Sequence, residues 1–263
     1  TIHFERNHET KQNVLSAAGQ LQIDLLAQKI KKQNKIDVEL TAPRVAYRET
    51  ITKQGEGRYR HKKQSGGRGQ FGEVHMRLKP LERGMQYEFV NSIFGGAVPS
   101  KFVPAVEKGV HQAMEEGILA GFPVVDICVE LFDGSYHEVD SSEMAFKIAA
   151  SKCLKQVAVD SCKPILLEPI MNVKVLIPEE YMGDVMGDLN SRRGRVQGMD
   201  PAEGKQIIRA QVPLAEMYTY SIDLRSITQG RGMFEMEASH YDPVPHEIAE
   251  KIVADADVKH EDE

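Results

Sequence analysis

Tryptophan is absent from the 263 residues, and aromatic side chains make up only 6% of them. The core must therefore rest on aliphatic residues and on the 11 methionines. Cysteine is scarce: Cys128, Cys153 and Cys162 are odd in number and show no C-x-x-C spacing. That pattern argues against a disulfide framework or a zinc site and for a reducing, intracellular (cytoplasmic) compartment. No apolar run approaches the ~20 residues of a membrane span, and the N-terminus carries no signal-peptide pattern. Positive charge is not in excess either, since 33 Lys and Arg face 39 Asp and Glu for a net charge of −6. This excludes wholesale wrapping of nucleic acid, although a net value hides local patches. The remaining composition, 41% apolar and 27% charged, is that of a soluble globular chain. The length predicts two or three domains. A first residue of Thr1 rather than Met is what a processed or cut product would show.

Ile2 and Phe4 alternate, and a short strand is expected around Val14-Leu15. From Gln20 to about Lys32 the period becomes helical, with Ile23, Leu26, Ala27 and Ile30 on one stripe. Ile36, Val38 and Leu40 alternate again and predict another strand. The order strand-strand-helix-strand is the second half of a split β-α-β module, so the chain is expected to begin inside a domain. Further on, Arg58, Arg60, Lys62 and Lys63 line a polar strand, and Val74, Met76 and Leu78 alternate with Glu73, His75, Arg77 and Lys79. These predict a hairpin with a long polar tip and a strand with one buried face. Helices are expected from Pro99 and from Asp140, where Asp140-Ser141-Ser142-Glu143 has capping-box spacing. Between them a strand from Val124 to Phe132 turns at Asp133-Gly134. Pro164 and Pro169 bracket a linker. The last region reads β-α-β-β-α-β, a ferredoxin-like split, with Gly194 at the C′ position of its first helix. The expected domains are residues 1–45, 46–163 and 164–253, followed by an acidic tail, 254–263, that reads as disordered.

The stretch between the two central strands carries the most pointed signal. Gly67-x-Gly69-x-x-Gly72-x-Val74 is, literally, a nucleotide-loop signature. A dinucleotide fingerprint needs a helix after the glycines, and a strand pattern follows instead. A kinase loop does lie between strands, yet no V-A-I-K lysine, His-Arg-Asp or Asp-Phe-Gly follows, and the GKS/T phosphate loop is absent. The alternative is an RNA-contacting tip made of Gln64, Ser65, Gly66, Gly67, Arg68, Gly69 and Gln70. Glycines permit close approach, glutamines donate and accept, and Arg68 can meet phosphate. A solvated hairpin tip with no partner fits these residues equally well.

His137 lies between a strand and a capped helix, beside Glu138. Neighbours on an extended segment point to opposite faces, and no second His stands at ligand spacing, so no metal or acid/base pair is assigned. A plain solvated loop histidine remains the alternative. Arg192, Arg193 and Arg195 cluster where a helix ends. Cations there complement the macrodipole, which explains them without a ligand, and a phosphate contact is compatible with it.

Several longer runs carry a family resemblance. Pro43-Arg44-Val45-Ala46-Tyr47-Arg48-Glu49-Thr50, the loop Gly66 to Gly72, Gly121-Phe122-Pro123-Val124-Val125-Asp126 and Asp133-Gly134-Ser135-Tyr136-His137-Glu138-Val139-Asp140-Ser141-Ser142 all resemble elongation factor G, a translational GTPase. So do Glu168-Pro169-Ile170-Met171, Glu179 to Asp184, Pro213 to Met217 and Thr228-Gln229-Gly230-Arg231-Gly232. The resemblance implies an α+β chain. Two ferredoxin-like split β-α-β modules, the first only its second half, would flank a central ribosomal-protein-like β-α domain with a left-handed crossover.

It also implies a function. The chain would be the ribosome-binding C-terminal portion of a factor that promotes tRNA–mRNA translocation in protein synthesis. Its tip, Gln64 to Gln70 with His137, would enter the decoding centre. Arg58, Arg60, Lys62, Arg192, Arg193 and Arg195 would be candidates for contacts to ribosomal RNA phosphates, and the last domain would face the GTPase-associated RNA. No catalytic, cofactor-binding or metal residue is expected in this chain, which would be monomeric. GTP and Mg would belong to a GTPase domain of the parent. One departure stands out: Ala17-Ala18-Gly19-Gln20-Leu21-Gln22-Ile23 replaces the family's usual Gly-x-Gly-Glu-Leu-His-Leu, which points to a divergent paralogue. The rival readings are a ribosomal protection or rescue factor of the same superfamily and, from another class, a phosphotransferase using the Gly67–Val74 loop.

Overall fold

The computed structural model describes residues 2–7, 10, 12–17, 20–64, 69–202 and 204–261. In chain order the elements are β1 (His3–Asn7), β2 (Gln12–Ser16), α1 (Gln20–Asn34), β3 (Arg48–Ile51), β4 (Gly55–Lys63), β5 (Gln70–Pro80), β6 (Tyr87–Asn91), α2 (Val103–Glu116), β7 (Ile127–Ser135) and α3 (Glu143–Ser161). They continue with β8 (Pro164–Pro178), α4 (Met182–Ser191), β9 (Arg195–Ala202), β10 (Lys205–Pro213), α5 (Tyr220–Ile227), β11 (Met233–Pro243) and α6 (His246–Glu261). The fold class is α+β, as expected. Two compact units share the chain, one of residues 1–46 and 168–242, the other of 47–167 and 243–263. Among the described residues no helix is long and apolar enough to cross a membrane.

In the first unit the order β11-β8-β10-β9 is that of a split β-α-β sheet. Val173, Val175 and Ile177 on β8 and Ile208, Ala210 and Val212 on β10 bury one face against Val185 and Leu189 of α4 and Tyr220 and Leu224 of α5. The alternation that announced these strands is thus the alternation that builds the core. The N-terminal segment keeps only part of its expected pattern. β1 and β2 form a hairpin, and α1 turns Ile23, Leu26, Ala27 and Ile30 to its less exposed side. Residues 36–40 form no strand, and Ile36, Val38 and Leu40 stand exposed. A strand exists only by pairing, and no hydrogen-bonded neighbour for 36–40 occurs among the described residues.

Four further expectations are corrected here. The 164–169 stretch is not a linker but the start of β8. Its residues 164–167 pair with β3 and its residues 170–178 with β10. Pro169 falls between the two ladders, where its lack of an N–H does least harm. At the end of α4 the left-handed residue is Arg193, at φ 59°, not Gly194. Gly194 donates its N–H to Leu189 O at 2.8 Å, and a Cβ there would sit 2.5 Å from that oxygen. The glycine is needed for close approach. The segment from Ala254 onward is not disordered throughout, because α6 runs to Glu261. That helix is seated by Ile248, Ala249, Ile252, Val253 and Ala256, which pack with Ala120, Leu166 and Val244. Finally, β7 does not turn at Asp133-Gly134; it continues to Ser135, with a bulge opposite His75/Met76.

The second unit holds the sheet β4-β5-β7-β6, antiparallel except for the β6/β7 pair, which runs parallel and is joined through α2. Val74, Met76 and Leu78 of β5, Val129 and Leu131 of β7, Val106 and Val110 of α2 and Phe146, Ala149 and Cys153 of α3 form its core. Gly109 lets α2 and α3 close up, since a Cβ there would lie 2.2 Å from Lys147 O. β4 and β5 form a hairpin that pairs Lys63 with Gln70, so the glycine loop is its tip.

Candidate nucleic-acid interface

Ser65, Gly66, Gly67 and Arg68 of the tip, and Ala18 and Gly19 of the N-terminal departure, lie outside the described residues. The described flanks nevertheless show how the tip is built. Phe71 N–H donates to Asp140 O at 2.9 Å, and Ser141 Oγ donates to Phe71 O at 2.9 Å. A Cβ on Gly69 would come within 3.0 Å of the Asp140 carboxyl carbon. The hairpin and the loop after β7 are therefore one body, with Gly69 against Asp140 and Phe71 beside His137, the two rings 6.4 Å apart.

His137 is not on an extended segment; it begins a tight turn. Its carbonyl accepts Ser141 N–H at 3.0 Å, and its own N–H donates to Ser141 Oγ at 2.8 Å. Nδ1 accepts the backbone N–H groups of Val139 at 3.3 Å and Asp140 at 3.2 Å. A nitrogen that accepts cannot carry the proton, so in this arrangement Nε2 is the ring's N–H donor. The Asp140 carboxylate stands 3.6 Å from Nδ1, too far for a hydrogen bond. The side chain is 55% exposed, so its Nε2–H is a donor accessible to solvent. Gln70 is prepared in a similar way: its Oε1 lies 2.9 Å from His61 Nε2, which leaves the amide NH₂ as a donor.

The helix that follows is capped by Ser142 rather than by Asp140. Ser142 Oγ accepts Ala145 N–H at 3.2 Å, and Asp140 is held in the tip. Beneath the tip, Glu73 breaks the expected alternation and is only 4% exposed. Arg60 Nε hydrogen-bonds one oxygen, and His75 Nε2 meets the other at 2.9 Å. Burial alone would raise the Glu73 pKa, but the hydrogen bonds and charges of Arg60 and His75 outweigh it and hold the carboxyl below its usual value.

The basic candidates separate. Arg58 and Lys62 are exposed on β4, whereas Arg60 is drawn to Glu73. In the other unit, Arg192 is only 12% exposed. It bonds Asp188, Asp223 and the Glu216 carbonyl and lies 5.2 Å from the centre of the Tyr220 ring. Arg193 grips Glu168 with both terminal nitrogens, at 2.5 and 2.9 Å, and Glu216 with Nε at 3.0 Å. Both guanidiniums are held by carboxylates in this structure. Arg195 is exposed, with Asp242 at 3.9 Å.

Sequence reasoning missed Glu49. It is fully buried, and its carboxylate accepts four backbone N–H groups, from Ile118 (2.5 Å), Leu119 (2.8 Å), Ala120 (2.8 Å) and Phe122 (3.0 Å). Nothing local in the sequence could reveal this, because the donors lie some 70 residues away. Among the described residues no three His, Cys, Asp or Glu side chains group as a metal site would require. A cavity of about 440 Å³ in the first unit is lined by Asn172, Lys174, Gln197, Arg209, Glu235 and Glu237. Its cations are already paired, Lys174 with Glu235 at 2.9 Å and Arg209 with Asp200 at 2.6 Å.

Comparison with known proteins supplies the frame for this geometry. Three models of one family match consecutive stretches: elongation factor G domain III over residues 1–42, domain IV over 43–161 and the C-terminus over 165–252. The chain belongs to the elongation factor G family. A crystal structure from Thermus thermophilus is similar, with 43% identity and a TM-score of 0.86 over 97% of this chain. This chain spans 38% of the length of that one. The two-loop tip thus falls in the region matched by elongation factor G domain IV, and Arg192, Arg193 and Arg195 in that matched by its C-terminus.

Proposed function

We propose that this chain acts on the ribosome by inserting the two-loop tip into the decoding centre during tRNA–mRNA translocation. The observation that carries the reading is the fixed tautomer of His137. Two backbone amides hold Nδ1, so the ring presents Nε2–H as a donor. A-form RNA exposes 2′-hydroxyls and base edges in a wide, shallow minor groove, acceptors that such short donors reach without reading sequence. The role is steric and recognitional: by occupying the site the tip keeps tRNA from slipping back. Arg58 and Lys62 add salt-dependent attraction to phosphate despite the negative net charge. No nucleotide chemistry is assigned to the glycine loop, since β5 follows it where a phosphate cradle needs a helix N-terminus. GTP and magnesium, on this reading, act elsewhere in the parent factor.

Toeprinting of pre-translocation ribosomes tests the proposal. A factor of this kind moves the mRNA by one codon, whereas a protection or rescue factor leaves the toeprint in place. His137→Ala should slow single-turnover translocation about tenfold, the value of one well-placed hydrogen bond in the transition state. An unchanged rate would remove His137 from the account.

A further inference from the structure

Beyond the two loops, one exposed ring stands on the same end of the sheet. β6 runs parallel to β7 with Asn91 opposite Leu131, and Ser92 N–H continues the ladder by donating to Leu131 O at 2.8 Å. Ser92 Oγ bonds Glu130 at 3.0 Å, and the Asn91 side chain accepts Ile93 N–H at 3.2 Å, so the loop leaves the strand in a fixed direction. At its other end Val98 is buried, and its Cγ2 lies 2.5 Å from where a Cβ of Gly134 would stand, three residues before His137. Between these anchors Phe94 is 93% exposed. Gly95 and Gly96 follow it at φ 67° and 76°, and a Cβ on either would meet nothing within 4 Å.

We infer that loop 92–98 is a third RNA-contacting element, in which Phe94 stacks on an unpaired base of ribosomal RNA. This rests on reading the tip as an RNA probe and adds a partner to it. Its neighbours along the chain offer the ring no apolar companion among the described residues: Ile93 packs back on the core, and the next positions are glycines. A protein-docking patch needs several hundred Å² of contiguous apolar surface, which one ring cannot supply. Stacking needs a single flat face, and a base has two. The open glycines let a flat, bulky partner come close.

The test uses the full chain, purified 70S ribosomes and co-sedimentation. Phe94→Ala and Phe94→Leu should each weaken binding about tenfold, as expected for loss of one stacked base, while Phe94→Trp retains it. Full affinity in the leucine variant with loss in the alanine variant would show an apolar contact and overturn stacking. If the unmodified chain sediments and the alanine variant binds equally, this inference fails and the tip reading stands. If the unmodified chain does not sediment at all, both fall. Far-UV circular dichroism should be identical for all variants, because the ring makes no core contact.

Discussion

Replacing Glu49 by glutamine is the sharpest structural perturbation available. The carboxylate accepts two N–H groups on each oxygen, all within 3.0 Å. In Glu49→Gln one oxygen can keep its pair, but the amide NH₂ then faces two donors. Each buried donor left unpaired costs about 1–3 kcal/mol, so the two together cost about 4 kcal/mol. Relief of the carboxylate's desolvation returns part of this, leaving a net loss of about 3 kcal/mol. With a urea slope of about 2 kcal/mol per molar, the unfolding midpoint of the second unit should fall by about 1.5 M. The loss should be local first. Hydrogen exchange should show the Ile118, Leu119, Ala120 and Phe122 amides losing protection ahead of β5 and β7. Because Leu119, Ala120 and Phe122 also seat α6, that helix should exchange faster too. A midpoint unchanged within error, or protection lost uniformly, would refute the claim that this carboxylate organises the loop.

Other expectations follow from the same geometry. Arg193→Leu strands the Glu168 carboxylate, whose side chain is 3% exposed, and should cost about 3–5 kcal/mol in urea unfolding, whereas Arg193→Leu with Glu168→Leu should recover most of it. Glu73, Glu116 and Glu130 titrate below their usual values: Glu73 because Arg60 and His75 outweigh its burial, Glu116 through Lys155, and Glu130 through Lys79. A lowered folded value means stability that is present above the unfolded pKa and lost below it. The thermal midpoint should therefore hold at neutral pH and drop as pH falls through about 4.3 and below, the ordinary glutamate value. Cys153 and Cys162 are buried, which pushes their thiols up to about 12 and about 11, and burial raises Cys128 as well. A maleimide should label none of the three in the native chain at pH 7 and all three in urea; fast native labelling would contradict the packing.

Much of the fold was legible where burial follows local periodicity. Val74, Met76 and Leu78, and Val173, Val175 and Ile177, announce their strands because each occupies one face of a half-buried sheet. What escaped was decided by distant partners. Ile36, Val38 and Leu40 have a strand's pattern without a strand's neighbour. Pro164 and Pro169 look like breakers, yet β3 and β10 take turns along β8 and leave the second proline between them. Gly194 reads as the left-handed residue of a helix end, but Arg193 takes that conformation with its guanidinium held by Glu168. The 254–263 stretch is too acidic to suggest packing, although Ile248, Ile252 and Val253, upstream, dock the helix that continues into it. In the tip, composition pointed to Gln70 and His137. The partners that orient them are near in sequence, His61 across the hairpin from Gln70 and Asp140 and Ser141 just after His137, but the bonds from Phe71 to Asp140 and Ser141 that join the two loops span some 70 residues.

Where the tip meets RNA is the central claim, and the buried cysteines make it directly measurable. Glu138→Cys places one reactive thiol on the exposed turn beside His137, and an iron chelate tethered there generates hydroxyl radicals within a short radius. With the chain bound to 70S ribosomes, backbone cleavage should cluster in the decoding region of the small-subunit RNA. Cleavage confined to the large subunit, or a pattern indistinguishable from free chelate while the chain remains bound, would contradict it.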